Sequence, residues 1–230
     1  MPQLIAMVIV VVGAMIYMFQ TFGGTGDKIE GVAQKGSIIT EINNIKDGIK
    51  IAAKSGHIEN NANTSTDAVT DLKGLATLSY FAEQINSQLT DSTNVNANVY
   101  NAISFGGDVE TTAGTANKSA MKISLVSNTA GAIPGIFVDL EDGSLKDNKA
   151  FLEAQISTDL ASIATIDRGA TTATAKALAT GTGLSAQELR TPATTDTTPT
   201  TLADGKFIIY FKDFGSDEVV LSSTASTVTP

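Results

Sequence analysis

Apolar side chains occupy positions 4–19 almost without interruption, and Gln20 and Thr21 extend the run to Phe22. From Met1 to Gly26 no side chain is charged; Asp27 and Lys28 are the first. The run has about the length of a bilayer-crossing helix, if a little short. Beyond Gly23, Gly24 and Gly26 the pattern changes. Ile38, Ile42, Ile45, Ile49 and Ala52 recur at spacings of four, three, four and three. That stripe predicts an amphipathic helix, with Glu41, Asn43, Lys46, Asp47, Lys50 and Lys54 off it and Gly56 as its stop. Gly31, Gly36 and Gly48 each weaken a helix by about 1 kcal/mol relative to Ala, so packing rather than propensity must hold it.

Residues 59–70 read as a polar loop. Asp71 is placed to cap a second helix whose buried face is Leu72, Leu75, Leu78, Phe81 or Ala82, Ile85 and Leu89. The Asn-, Thr- and Gly-rich stretch 90–119 predicts irregular structure. Strands are expected at MKISLV (121–126), which alternates, at GIFVDL (135–140) and at GKFIIYFKDF (205–214). DEVVLSS (217–223) follows the last of these as in a hairpin. Between them, residues 147–166 show Phe151 or Leu152, Ile156, Leu160 and Ile163 at helical spacing. Thr191–Thr201 is a Thr/Pro-rich loop. The expected fold class is α+β: a long apolar then amphipathic N-terminal helix packed on a globular head with a late antiparallel sheet. Three parts follow: 1–26, an anchor with a Gly-rich break; 27–56, the joining helix; and 57–230, an extracellular head.

Composition narrows the function. The chain has 230 residues, of which 17% are charged, with a net charge of -9 and no cysteine. Such a balance lacks the basic footprint that nucleic-acid binding needs. Without cysteine there are no disulfides, thiolate metal sites or cysteine nucleophiles. His57 is the only histidine, read as a surface residue, so no Ser-His-Asp set is credible, and G-x-S-x-G is absent. No catalysis and no cofactor are expected. Asp139, Asp142 and Asp147 form a weak calcium candidate in an acidic turn that lacks the full EF-hand spacing. The plain reading, a solvated turn, is preferred. Asn63-Thr64-Ser65 and Asn117-Lys118-Ser119 match the glycosylation sequon, which chance explains in so Asn-, Ser- and Thr-rich a chain.

A secretory signal peptide has a basic segment before its apolar core and a small-residue cleavage site after it. Both are missing here, which suggests a basic leader removed just before the apolar run. In this the chain resembles mature pilins of the type IV superfamily, type IVb-like in beginning with Met1. A second likeness is the apolar helix passing through a break into TEINNIKDGIKIAAKSG. A weaker third is the rhythm of IPGIFVDLEDGSLKDNKAF (133–151). The resemblance implies a structural subunit of an extracellular helical filament, assembled through bundled N-terminal helices. Leu4, Ile5, Val8, Val11, Val12, Gly13 and Ile16 would form the filament core, and Gly23, Gly24 and Gly26 a flexible break. Met1 would be the product of prepilin peptidase processing. The implied partners are copies of the chain itself, the cytoplasmic membrane before assembly, and the pilus assembly machinery. The implied location is the cell surface. Ile5 departs from the family, which usually carries Glu there to pair with a neighbour's N-terminal amine. The alternative is a single-pass membrane-anchored binding or adhesion domain, or a minor pseudopilin that forms no filament by itself. An anchored hydrolase would need a site that the sequence does not display.

Overall fold

The structure, a computed structural model, describes residues 30–58, 69–112, 119–126, 135–174 and 203–212. The expected filament core, the break, the 191–201 loop and most of the 59–70 loop lie outside them. A helix, α1, covers 30–54. It is followed by α2 (Leu72–Thr77), α3 (Glu83–Thr90), β1 (Tyr100–Asn101), β2 (Lys122–Val126) and β3 (Gly135–Asp139). Then come a 3-10 turn (Gly143–Asn148), α4 (Lys149–Leu160), β4 (Ala164–Asp167) and β5 (Lys206–Phe211). The five strands form one antiparallel sheet in the order β1-β2-β3-β5-β4. The fold of the described residues is α+β, with a helix on the N-terminal side of an antiparallel sheet.

The stripe of α1 is buried as its spacing predicts: Ile38, Ile42, Ile45 and Ala52 are fully inaccessible and Ile49 nearly so. They share one core with Leu72, Leu75 and Leu89 of the short helices, and with Leu152, Ile156 and Leu160 of α4. The same core takes one face of the sheet, through Ile123, Leu125, Ile136, Val138, Phe207, Ile209 and Phe211. Their alternate neighbours Val126, Phe137, Ile208 and Tyr210 point to the other face, where Ala170 packs on them. A sheet covered on both faces needs apolar residues at successive positions, which is why KFIIYF and GIFV read as continuous runs. MKISLV, expected to alternate, is likewise buried from Ile123 to Val126.

Two expectations are corrected. The single helix expected from Asp71 to Leu89 is two, because Ser79 takes a left-handed φ of 62° and Ala82 an extended ψ of 148°. Leu78 is 44% exposed as a result. The break drives Phe81 against α1, where a Cβ on Gly48 would lie 2.4 Å from its ring. The Asp71 cap itself is present, its carboxylate accepting from the Gly74 N–H at 2.7 Å. Second, the helix expected over 147–166 stops at Leu160, and 164–167 form β4 instead. Leu152 rather than Phe151 is its buried residue, and Ile163 is 38% exposed. Helical spacing fitted Ile163, but pairing of Ala164–Asp167 with Ile208–Phe211 wins. For the hairpin expected with 217–223, the structure shows only that β5 is flanked by β3 on one side and β4 on the other. Residues 217–223 are themselves outside the described set. The described residues of the 90–119 stretch are irregular as read, apart from Thr90 at the end of α3, β1 and a 3-10 turn at Ile103–Phe105.

Candidate functional site

The acidic turn is the only expected site inside the described residues. Register places Asp139 of β3 opposite Lys122 of β2 and Lys206 of β5. Lys122 closes on Asp142 at 2.6 Å. Glu141 bridges two lysines, Lys149 at 3.5 Å and Lys206 more closely. The ion pair with Lys206 holds the Glu141 carboxyl below its ordinary range. Burial pushes Asp139 the other way, against its hydrogen bond from the Glu141 N–H and the nearby lysines. Of the three expected carboxylates, Asp142 is paired with Lys122, Asp139 stands opposite Lys122 and Lys206, and Asp147 is exposed in the 3-10 turn. Among the described residues no group of acidic or histidine side chains is arranged to hold a metal ion. The turn is an ion network tying three strands to the start of α4.

His57, expected at the surface, is half-buried just past the end of α1. Its Nδ1 is 2.5 Å from the Tyr80 hydroxyl, and the two rings stack at a tilt of 54°. Two open grooves of mixed polar and apolar lining flank α3. One is lined by Lys73, Thr77, Phe81 and Asn86, the other by Ser87, Asp91, Gly107 and Asp108.

The sequence reading missed the buried polar groups. Glu41, placed off the α1 stripe as a solvated residue, is only 3% exposed. Its carboxylate accepts from the Tyr100 hydroxyl at 3.0 Å and the Ser104 N–H at 3.0 Å. It borders a small pocket of about 140 Å³ beside Gln84 and Ile103. Burial, reinforced by Glu41, pushes the Tyr100 phenol well above its ordinary range, even though the Ile103 N–H donates to it. Glu153 of α4 is fully buried and accepts from Arg168 Nε at 2.6 Å. It also accepts from the backbone N–H groups of Ala203 and Gly205.

Amide side chains do similar work where the backbone is irregular. Gln88 donates to the carbonyl of Asn101 and accepts its N–H, both at 2.9 Å, as a neighbouring strand would. Asn98 donates to the Leu125 carbonyl at 2.8 Å and accepts from the N–H groups of Leu125 and Leu72. Asn86 pairs both backbone groups of Phe81. The abundance of Asn was the available signal. Buried backbone must find partners, and a segment without ladders finds them in amides.

Among the described residues no helix is long and apolar enough to cross a membrane. The comparisons with known proteins return no matching family model, no matching curated protein and no matching solved structure.

Proposed function

We propose that the chain is the structural subunit of a type IV pilus-like helical filament at the cell surface. One observation carries this reading. An uncharged apolar run leads, through a Gly-rich break, toward a helix whose inner face is wholly committed to the core of an antiparallel head. In such a subunit α1 is the spine of the head, and residues 4–22 are its extension, held in the membrane before assembly. Moving that extension from lipid into water costs about 25 cal/mol per Å² of apolar surface. Bundling it with copies of itself avoids the exposure. Gly13 and Ala6 favour close helix contact, as small residues do. Ile5 leaves the N-terminal amine to a backbone carbonyl or to Gln3, the nearest polar side chain. On this reading the chain catalyses nothing and takes no cofactor. Its partners are its own copies, the processing peptidase and the assembly machinery.

The test is electron cryo-microscopy of material sheared from the cell surface, with mass spectrometry to identify the chain. Wild-type cells are expected to yield filaments with a bundled helical core built from Met1 to about Gln20. Val10→Asp or Gly13→Asp places an unpaired carboxylate in that core and is expected to abolish them. Normal filaments from either variant would remove the core assignment. Single copies retained in the membrane fraction of wild-type cells would replace the filament by an anchored head.

A further inference from the structure

β4 and β5 are adjacent antiparallel strands, with Asp167 opposite Ile208. Such neighbours are ordinarily joined by roughly two to five residues. Here the connection runs from 168 to 205, far longer than a turn. Both ends of it converge on one side chain that belongs to neither strand. Arg168, the first residue after β4, donates its Nε–H to Glu153 Oε1 at 2.6 Å. Ala203 donates its N–H to the same oxygen at 3.1 Å, and Gly205 donates to Oε2 at 3.0 Å, immediately before β5.

The backbone is shaped for this. Ala203 and Gly205 have φ values of 73° and 85°, so the residues flanking Asp204 turn their N–H groups onto one anion, as in the concave backbone sites that bind anions. Non-glycine residues avoid the left-handed region unless the surroundings hold them there, and the bond from the Ala203 N–H to Glu153 does so. The turn is also held from outside: the Leu140 N–H donates to the Gly205 carbonyl at 3.0 Å, and a Cβ on Gly205 would lie 2.9 Å from Lys149 Cβ. Glu153 itself is fixed on α4, between Leu152 and Ile156, which belong to the core.

We infer that Glu153 is a neck clamp. It closes the two ends of the 168–205 connection on the rigid face of α4, which separates the register of β4 and β5 from whatever sequence lies between. The clamp, rather than the length of the connection, thereby sets where β4 ends and β5 begins.

Two variants of the full chain, in detergent and read by amide hydrogen exchange, test this. Glu153→Gln keeps the volume but removes the charge that meets Arg168 and replaces one of the two accepting oxygens by an NH2 group that cannot accept. Exchange is expected to rise at least tenfold at Ala203 or Gly205, whichever N–H loses its acceptor, while Ile42, Ile45 and Ile49 in α1 keep wild-type protection. Unchanged exchange at Ala203 and Gly205 would overturn the clamp. A rise throughout α1 as well would overturn it too, by making Glu153 a general core group. In the second variant, with Glu153 intact, a short Gly-Ser linker replaces residues 175–202. Wild-type protection of β4 and β5 is expected. Its loss would show that the connection belongs to the fold.

Discussion

Gly36 and Gly48 lie twelve positions apart in one helix and carry the same intrinsic penalty, yet their surroundings give them opposite roles. A Cβ on Gly36 would meet nothing within 4 Å, whereas one on Gly48 would lie 2.4 Å from the Phe81 ring and 2.7 Å from the Tyr80 carbonyl. Gly36→Ala is therefore expected to stabilise the head by up to about 1 kcal/mol, the propensity difference alone. Gly48→Ala is expected to destabilise it by about 1–3 kcal/mol, because the Phe81 ring and the Tyr80 carbonyl must move. Urea unfolding of the two variants checks both signs. A stabilising Gly48→Ala would contradict the close approach. Glu41 shows the same dependence on context. It follows Thr40 in a polar-looking stretch, and only the fold reveals that it faces Tyr100 and Ser104.

At the scale of elements, the irregular segment before β1 is held by side chains as firmly as a strand is held by its neighbours. Asn98 stands where β1 would otherwise continue along β2, supplying Leu125 with both a donor and an acceptor and completing the start of α2 through Leu72. Asn98→Ala leaves three backbone groups without that partner. The expected loss is about 2–4 kcal/mol, since an unsatisfied buried group costs more than an average hydrogen bond contributes. A loss under about 0.5 kcal/mol in the same unfolding measurement would mean that water replaces the amide freely. On the outer edge of β1, Gln88 acts in the same way, occupying the N–H and carbonyl of Asn101 that an added strand would use.

For the whole molecule, the central fact is that α1 belongs to the core of the head. Its inner stripe contributes to the same buried cluster as the sheet and the other three helices. Polar contacts along its length repeat the message, with Lys35 paired to Asp159 at 2.7 Å and Asn148 donating to Gln34 at 3.2 Å. A chain shortened to begin at Asp27 is expected to unfold cooperatively on heating. One beginning at His57 loses the α1 stripe and is expected to bind a hydrophobic dye and show no cooperative transition. Cooperative unfolding of the shorter chain would make α1 an appendage instead of a wall of the core. The first outcome suits a subunit that must transmit a pull on its N-terminal segment directly to the head.

The sequence by itself determined the elements whose signal is periodic and local. The α1 stripe, the Asp71 cap, the strands at 122–126, 135–139 and 206–211, and the irregular 90–119 stretch were legible because burial of one face imposes a spacing that needs no knowledge of partners. Tertiary structure decided the rest. Helical spacing across 147–166 and 71–89 was satisfied equally by a continuous helix. Strand pairing of Ala164–Asp167 and insertion of Phe81 against Gly48 selected broken ones. The same holds for the polar groups. Whether a carboxylate such as Glu41, Glu153 or Asp142 is solvated, clamped or lysine-paired depends on donors between about 20 and 60 positions away in the chain. Such encounters leave no periodic trace, because a hydrogen bond across the fold places no constraint on the residues beside it.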